Sequence, residues 1–212
     1  MISFASGEAA PSFDHPLEML HACHGKIKRQ LDTLQKLSTH LPAHGCDQQA
    51  QQAAKSILRY FDSAGQFHHQ DEEENLFPTL LALDAPNKEE VETLIDRLLA
   101  QHVVMFAAWN DVRAVLVKIA EGADTPLPEA LIEKLSGSYT RHILLEETEL
   151  LPLSAQLLGP QQIMALGKSM AERRGAKFPA PGPRPSRSSA GSAKAWAAPA
   201  GRAHPPAKKA CS

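Results

Sequence analysis

Two segments of the chain read almost alike: His68-His69-Gln70-Asp71-Glu72-Glu73-Glu74-Asn75-Leu76-Phe77-Pro78 and His142-Ile143-Leu144-Leu145-Glu146-Glu147-Thr148-Glu149-Leu150-Leu151-Pro152. Each follows the pattern His-x-x-x-Glu-Glu-x-x-Leu-(Phe/Leu)-Pro. On a helix, residues four apart lie one turn above each other on the same face. Each His–Glu pair therefore aims a nitrogen and an oxygen at one point. Two such pairs on facing helices can hold two metal ions between them, so the duplication calls for helices packed around a polar centre.

The rest of the chain supplies those helices. Apolar residues recur with helical period almost throughout, and alternating β-branched runs are missing. A first helix is expected from Asp14 as N-cap, with Pro16 in its first turn and Pro42 and Gly45 ending it. Its seam is Leu17, Leu20, His24, Ile27, Leu31, Leu34, Ser38 and Leu41. A second begins at Asp47 and places Ala54, Ile57, Phe61, Ala64, His68, Glu72 and Leu76 on one face, with Pro78 bending or ending it. The third runs from about Pro86 to Glu121, with Val91, Leu94, Leu98, His102, Met105, Trp109, Val112, Leu116 and Ile119 inward. The fourth starts near Thr125-Pro126, with Leu131, Leu135, Ser138, His142, Leu145 or Glu146, and Glu149 inward. A short fifth covers Gln161 to Arg174. Four long helices joined by short turns bury these faces most simply as an all-α, antiparallel up-down-up-down four-helix bundle.

Composition divides the chain into an extension (1–13), the bundle (14–175) and a tail (176–212). The tail holds 7 of the 22 Lys/Arg, no acidic residue and 7 Pro. It reads as a disordered, solvated extension. Without it, 15 basic residues face 24 acidic ones, about −9 by formal count. An acidic bundle argues against nucleic acid as its partner. No segment approaches 18 uninterrupted apolar residues, so no membrane span is expected. Met1 to Phe13 lacks the basic start and apolar run of a secretory signal. Cys23, Cys46 and Cys211 are too scattered for a disulfide framework or a C-x-x-C site. A reduced, cytoplasmic setting is the expectation.

Each of the four seams carries one histidine, His24, His68, His102 or His142, and an up-down course sets them at similar depth. At ~1.5 Å per residue their heights agree within roughly 10 Å. A carboxylate facing a core costs several kcal/mol unless something neutralises it, and Glu72 and Glu146 both face this one. These six residues are the candidate metal ligands. Histidine and carboxylate without cysteine suit iron, manganese or zinc, and six ligands exceed what one zinc takes. The Glu-x-x-His order of ferritin-like bundles is absent: Leu99 and Tyr139 stand three residues before His102 and His142.

The ordered set of Cys23-His24-Gly25-Lys26-Ile27, His68-His69-x-x-Glu72-Glu73-x-x-Leu76-Phe77-Pro78, Gln101-His102 and His142-x-x-x-Glu146-Glu147 resembles the hemerythrin-like (HHE) cation-binding family over roughly residues 14–158. The resemblance implies a centre of two non-haem iron ions, bridged by carboxylates and an oxo group. His24, His68, His102 and His142 would be terminal ligands, and Glu72 and Glu146 the bridges. Oxygen-carrying members have a second third-helix histidine one turn from the first, whereas here those positions are Leu98 and Phe106. One nitrogen ligand is missing, and His21 and His69 are the candidates to supply it. The bland alternatives are a flanking surface residue for His21 and a supporting or exposed residue for His69. Glu73 and Glu147 read as acceptors behind ligands or as solvated groups, Tyr139 as a core residue or a hydrogen-bond donor at the site, and Cys23 as a packing residue. The Asp71–Glu74 run reads as a partly solvated face whose charge favours cations.

What the resemblance implies about function is binding or sensing of oxygen, peroxide or nitric oxide at an open iron position. The alternatives are an enzyme acting on peroxide or nitric oxide or repairing iron–sulfur clusters, or an iron store. The expected partners are a small diatomic ligand or peroxide and a redox partner of unknown identity.

Overall fold

The computed structural model describes residues 12–178. The expected extension 1–13 and tail 176–212 therefore lie almost wholly outside the described residues. Every regular element among those residues is helical: α1 (Pro16–His44), α2 (Gln48–Phe61), α3 (Ala64–Asp71), a π-helical turn (Glu72–Leu76), α4 (Phe77–Leu81), α5 (Lys88–Ala120), α6 (Glu129–Leu145), a second π-helical turn (Glu146–Leu150), α7 (Leu151–Leu157) and α8 (Pro160–Arg173). None is long and apolar enough to cross a membrane. The segments α2–α4 and α6–α7 each continue through a π turn as one rod. With α1 and α5 they make four rods in a ring: α1 packs on α2 and α6, and α5 packs on α2 and α6.

The expected seam of α5 is buried at every position. Elsewhere the structure shifts details. The N-cap of α1 is His15, without a capping side chain, rather than Asp14; Pro16 opens the helix at its first position. Pro42 sits inside the last turn and does not stop it. Gly45, at φ 66°, does so by adopting a conformation costly for other residues. Leu37 rather than Ser38 completes the seam of α1. Asp47 caps α2 as expected, accepting from the Ala50 N–H at 2.8 Å.

The second rod breaks at Asp62-Ser63, which the periodicity did not reveal. The Ser63 hydroxyl donates back to the Arg59 carbonyl and competes with the helix. Asp62 is held sideways by the Trp109 indole N–H at 3.1 Å and Arg113 Nε at 2.9 Å. Below the break the buried residue is Gly65, not Ala64. α6 starts only at Glu129, and Ile132 rather than Leu131 faces inward. Glu149 is also exposed, near Arg97 at 3.8 Å. The π turn changes the angular step after Glu146, so Leu150 takes the inward place.

Two apolar clusters fill the ring. One holds Ile27, Leu31, Phe61, Met105, Trp109, Leu135 and Tyr139 among others. The other holds Leu20, Leu76, Phe77, Leu98, Leu145 and Leu150, with α8 covering it through Leu166 and Met170. On every rod the seam histidine falls between a residue of one cluster and a residue of the other. His24 lies between Leu20 and Ile27, and His102 between Leu98 and Met105. A polar layer thus divides the core.

Candidate metal centre

All six sequence-predicted residues meet in that layer and are shut off from water: His24, His68, Glu72, His102, His142 and Glu146 are each 5% exposed or less. The i,i+4 spacing does what the repeat required, setting His68 Nε2 3.5 Å from Glu72 Oε1 and His142 Nε2 2.9 Å from Glu146 Oε1. The other oxygen of each carboxylate turns the opposite way. Glu146 Oε2 is 2.9 Å from His24 Nε2 and 3.9 Å from His68 Nε2. Glu72 Oε2 is 3.5 Å from His102 Nε2. Two donor groups result, His24–His68 and His102–His142, and each carboxylate offers one oxygen to either.

Hydrogen bonds at the far side of three rings fix which nitrogen faces in. His102 Nδ1 donates to Glu73 Oε1 at 2.6 Å, His24 Nδ1 to Glu147 Oε1 at 3.0 Å, and His142 Nδ1 to Gln101 Oε1 at 3.0 Å. A carboxylate only accepts, so Nδ1 carries the proton and Nε2 presents a lone pair to the centre. His102 Nε2 and His142 Nε2 lie 3.1 Å apart. Two lone pairs in that position repel unless a cation or proton stands between them.

Buried polar groups are nearly always hydrogen-bonded, yet this layer concentrates orphans. His24 Nε2, both nitrogens of His68, His69 Nε2, Glu72 Oε2 and both oxygens of Glu146 are buried without a hydrogen-bond partner. Their short approaches to one another converge on shared points rather than along N–H···O lines. Divalent cations at those points would satisfy these donors together, and the residues fit a metal pair on that ground.

Ionisation agrees. Burial, then the charge of Glu146, holds the Glu72 carboxyl well above the usual carboxylate range. Burial would raise Glu146 too, but His142, followed by His24 and His68, pulls it well below. Two adjacent buried carboxyls do not both ionise without a cation, so metal binding would release a proton from Glu72. Burial pushes His68 down to about 3, and burial followed by neighbouring imidazoles lowers His102 and His69. These rings are neutral at pH 7, the form that binds metal.

Of the flanking candidates, His21 stands at the surface. Its side chain is 66% exposed and stands 3.8 Å from Glu147. His69 lies inside, as described below. Glu73 and Glu147 act as acceptors behind His102 and His24, and Lys28 Nζ also donates to Glu147 at 3.2 Å. Tyr139 is a core residue with its ring 5.5 Å from Phe61, and burial raises its phenol. Burial likewise raises the Cys23 thiol, which suits a packing role rather than a reactive thiolate.

The acidic run is not simply a solvated face. Asp71 is fully buried and bound by both Arg173 and Arg174, while Arg173 also reaches Glu74 at 2.7 Å and Asn75 at 2.9 Å. This clamp ties the end of α8 to the first π turn. Periodicity held no signal for it. The only hint was an Arg pair closing an amphipathic helix. Gln101 was visible as the neighbour of His102, but its reach to His142 was not.

Two comparisons bear on this centre. A sequence profile of the Hemerythrin HHE cation binding domain matches residues 15–154. An uncharacterized protein of Haemophilus influenzae is 35% identical over 166 residues, which span 78% of this chain and 94% of the relative.

Proposed function

This chain belongs to the hemerythrin HHE cation-binding family, and we propose that it holds two non-haem irons in an antiparallel up-down-up-down bundle and binds or senses a small oxidant or diatomic ligand. His24 and His68 would hold one iron and His102 and His142 the other, with Glu72 and Glu146 bridging. The observation that carries this reading is that each carboxylate offers one oxygen to either histidine pair. A pair of irons so held would supply redox chemistry toward oxygen, peroxide or nitric oxide. The chain's part is to fix the donors and keep water out. Glu73, Glu147 and Gln101 hold the Nδ1 protons of His102, His24 and His142. Leu20, Leu76 and Leu98 on one side and Ile27 and Met105 on the other close the layer to bulk solvent. We place the protein in the cytoplasm and read the centre as one that binds or senses such a ligand.

The test is iron per chain, with the visible spectrum after exposure to oxygen, on protein purified without chelators. Two irons per chain are expected, and Glu72→Ala combined with Glu146→Ala should abolish the pair while sparing helicity. Full iron in that double variant would overturn the bridging assignment. Steady-state turnover of peroxide or nitric oxide would overturn the restriction to binding.

A further inference from the structure

The centre has four imidazoles, two to each side, yet a fifth lies against it. His69 follows His68 on α3, about 100° further round the helix, so it points away from the His24–His68 side. Its ring centroid is 4.4 Å from that of His102, with the planes tilted by 30°, and 6.0 Å from that of His142. On the other side it faces Tyr139 at 6.1 Å. A donor atom from each of His69, His102 and His142 falls in a group whose members are all within 4.8 Å of one another. Donors on opposite sides of an ion with bonds of about 2.1 Å stand about 4.2 Å apart, so the span is compatible with one ion. The residue is half-buried, but its Nε2 is closed to solvent and has no hydrogen-bond partner.

The neighbouring helix cannot supply a nitrogen in its place. One turn either side of His102, Leu98 is buried in an apolar cluster and Phe106 is 62% exposed. The repeat adds an independent argument. Aligning His68 with His142 sets Glu73 against Glu147, and each of these carboxylates clamps a histidine of a neighbouring rod, Glu73 that of α5 and Glu147 that of α1. The same alignment sets His69 against Ile143, which is buried in an apolar cluster and has no donor atom. Of the six aligned positions at which the two repeats differ, this is the one that sets an imidazole beside the layer.

We propose that His69 is a metal ligand on the His102–His142 side, so that this ion would have three imidazoles. The proposal rests on the di-iron reading above. The two metal positions would then differ in their number of imidazole donors.

The experiment uses the full chain loaded with iron, as wild type, His69→Ala and His69→Gln. Iron is withdrawn by a competing chelator, and iron-edge X-ray absorption counts imidazoles per iron. Wild type should release iron in two steps. Both variants should weaken one step by 10- to 100-fold, leave the other in place and lower the imidazole count, with unchanged helicity. Two irons in wild type with both steps and the imidazole count unchanged in His69→Gln would overturn the His69 assignment and leave the di-iron reading standing. Equal weakening of both steps in His69→Gln, with the count unchanged, would likewise overturn it in favour of a packing role. A wild-type chain that takes up no iron pair would overturn both.

Discussion

Replacing Glu73 tests whether the residue behind a ligand controls metal affinity. Its Oε1 accepts the His102 Nδ1 proton at 2.6 Å, while the Glu73 side chain is 43% exposed. Hydrogen bonds to charged groups contribute about 1.5–3 kcal/mol net. Water can reach the vacated position in Glu73→Leu and recover part of this, leaving roughly 1–2 kcal/mol. At about 1.4 kcal/mol per factor of ten, iron affinity should fall about 5- to 30-fold, near the lower part of the range seen for such supporting residues. Glu73→Gln keeps an acceptor oxygen without the charge and should fall between the two. Glu92→Gln, an exposed change 4.0 Å from Lys88 at most an ordinary surface pair, should have no effect. The assay is iron competition against a chelator, with circular dichroism to verify the helices. Wild-type affinity in Glu73→Leu would refute the claim that Glu73 fixes the ring, and an equal loss in Glu92→Gln would show that net charge alone sets affinity.

Two further outcomes concern the scaffold. Asp71→Ala leaves Arg173 and Arg174, 13% and 19% exposed, facing a vacated site. Breaking such a pair costs about 3–5 kcal/mol when fully buried, and partial access to water places this one near 3 kcal/mol; a loss below about 1 kcal/mol in urea denaturation would show that the clamp does not hold α8. At the other end, the Ala50 N–H, then His40, holds the Asp47 carboxyl below its usual 3.8. Its contribution is present above that value and lost as pH falls through the depressed one. Asp47→Asn should therefore flatten the acid limb of thermal stability below about pH 4. An acid limb identical to wild type would sink the linkage.

The sequence carried the six candidate ligands because their geometry is local. A His and a Glu four apart meet on any helix, and the repeat made two such pairs visible. The seam of α5 was legible at every position because nothing interrupts its 33 residues. What was not legible depended on contacts between rods. The break at Asp62-Ser63 is set by Trp109 and Arg113, 47 and 51 residues away, and it moves the inward residue from Ala64 to Gly65. The burial of Asp71 depends on Arg173 and Arg174, about a hundred residues on. Glu149 was misplaced because a single helical period was carried through a turn that obeys another.

The two π turns explain why the repeat is longer than its ligands need. Pro78 and Pro152 lack an N–H, and their rings would clash with the carbonyl four residues back in an unbroken α-helix. Each sits at the second position of a new helical segment, and the preceding five residues widen into a π turn starting at Glu72 or Glu146. The Glu that faces the centre thus begins the wide turn, and the next Glu reaches sideways to the neighbouring rod. Glu73 takes His102 and Glu147 takes His24, so one dipeptide serves the centre and the clamp. The scheme is not fully symmetric. Gln101, just before His102, steadies His142, but the residue just before His24 is Cys23, and His68 Nδ1 has no partner. The His68 ring is the one imidazole of the four without a clamp.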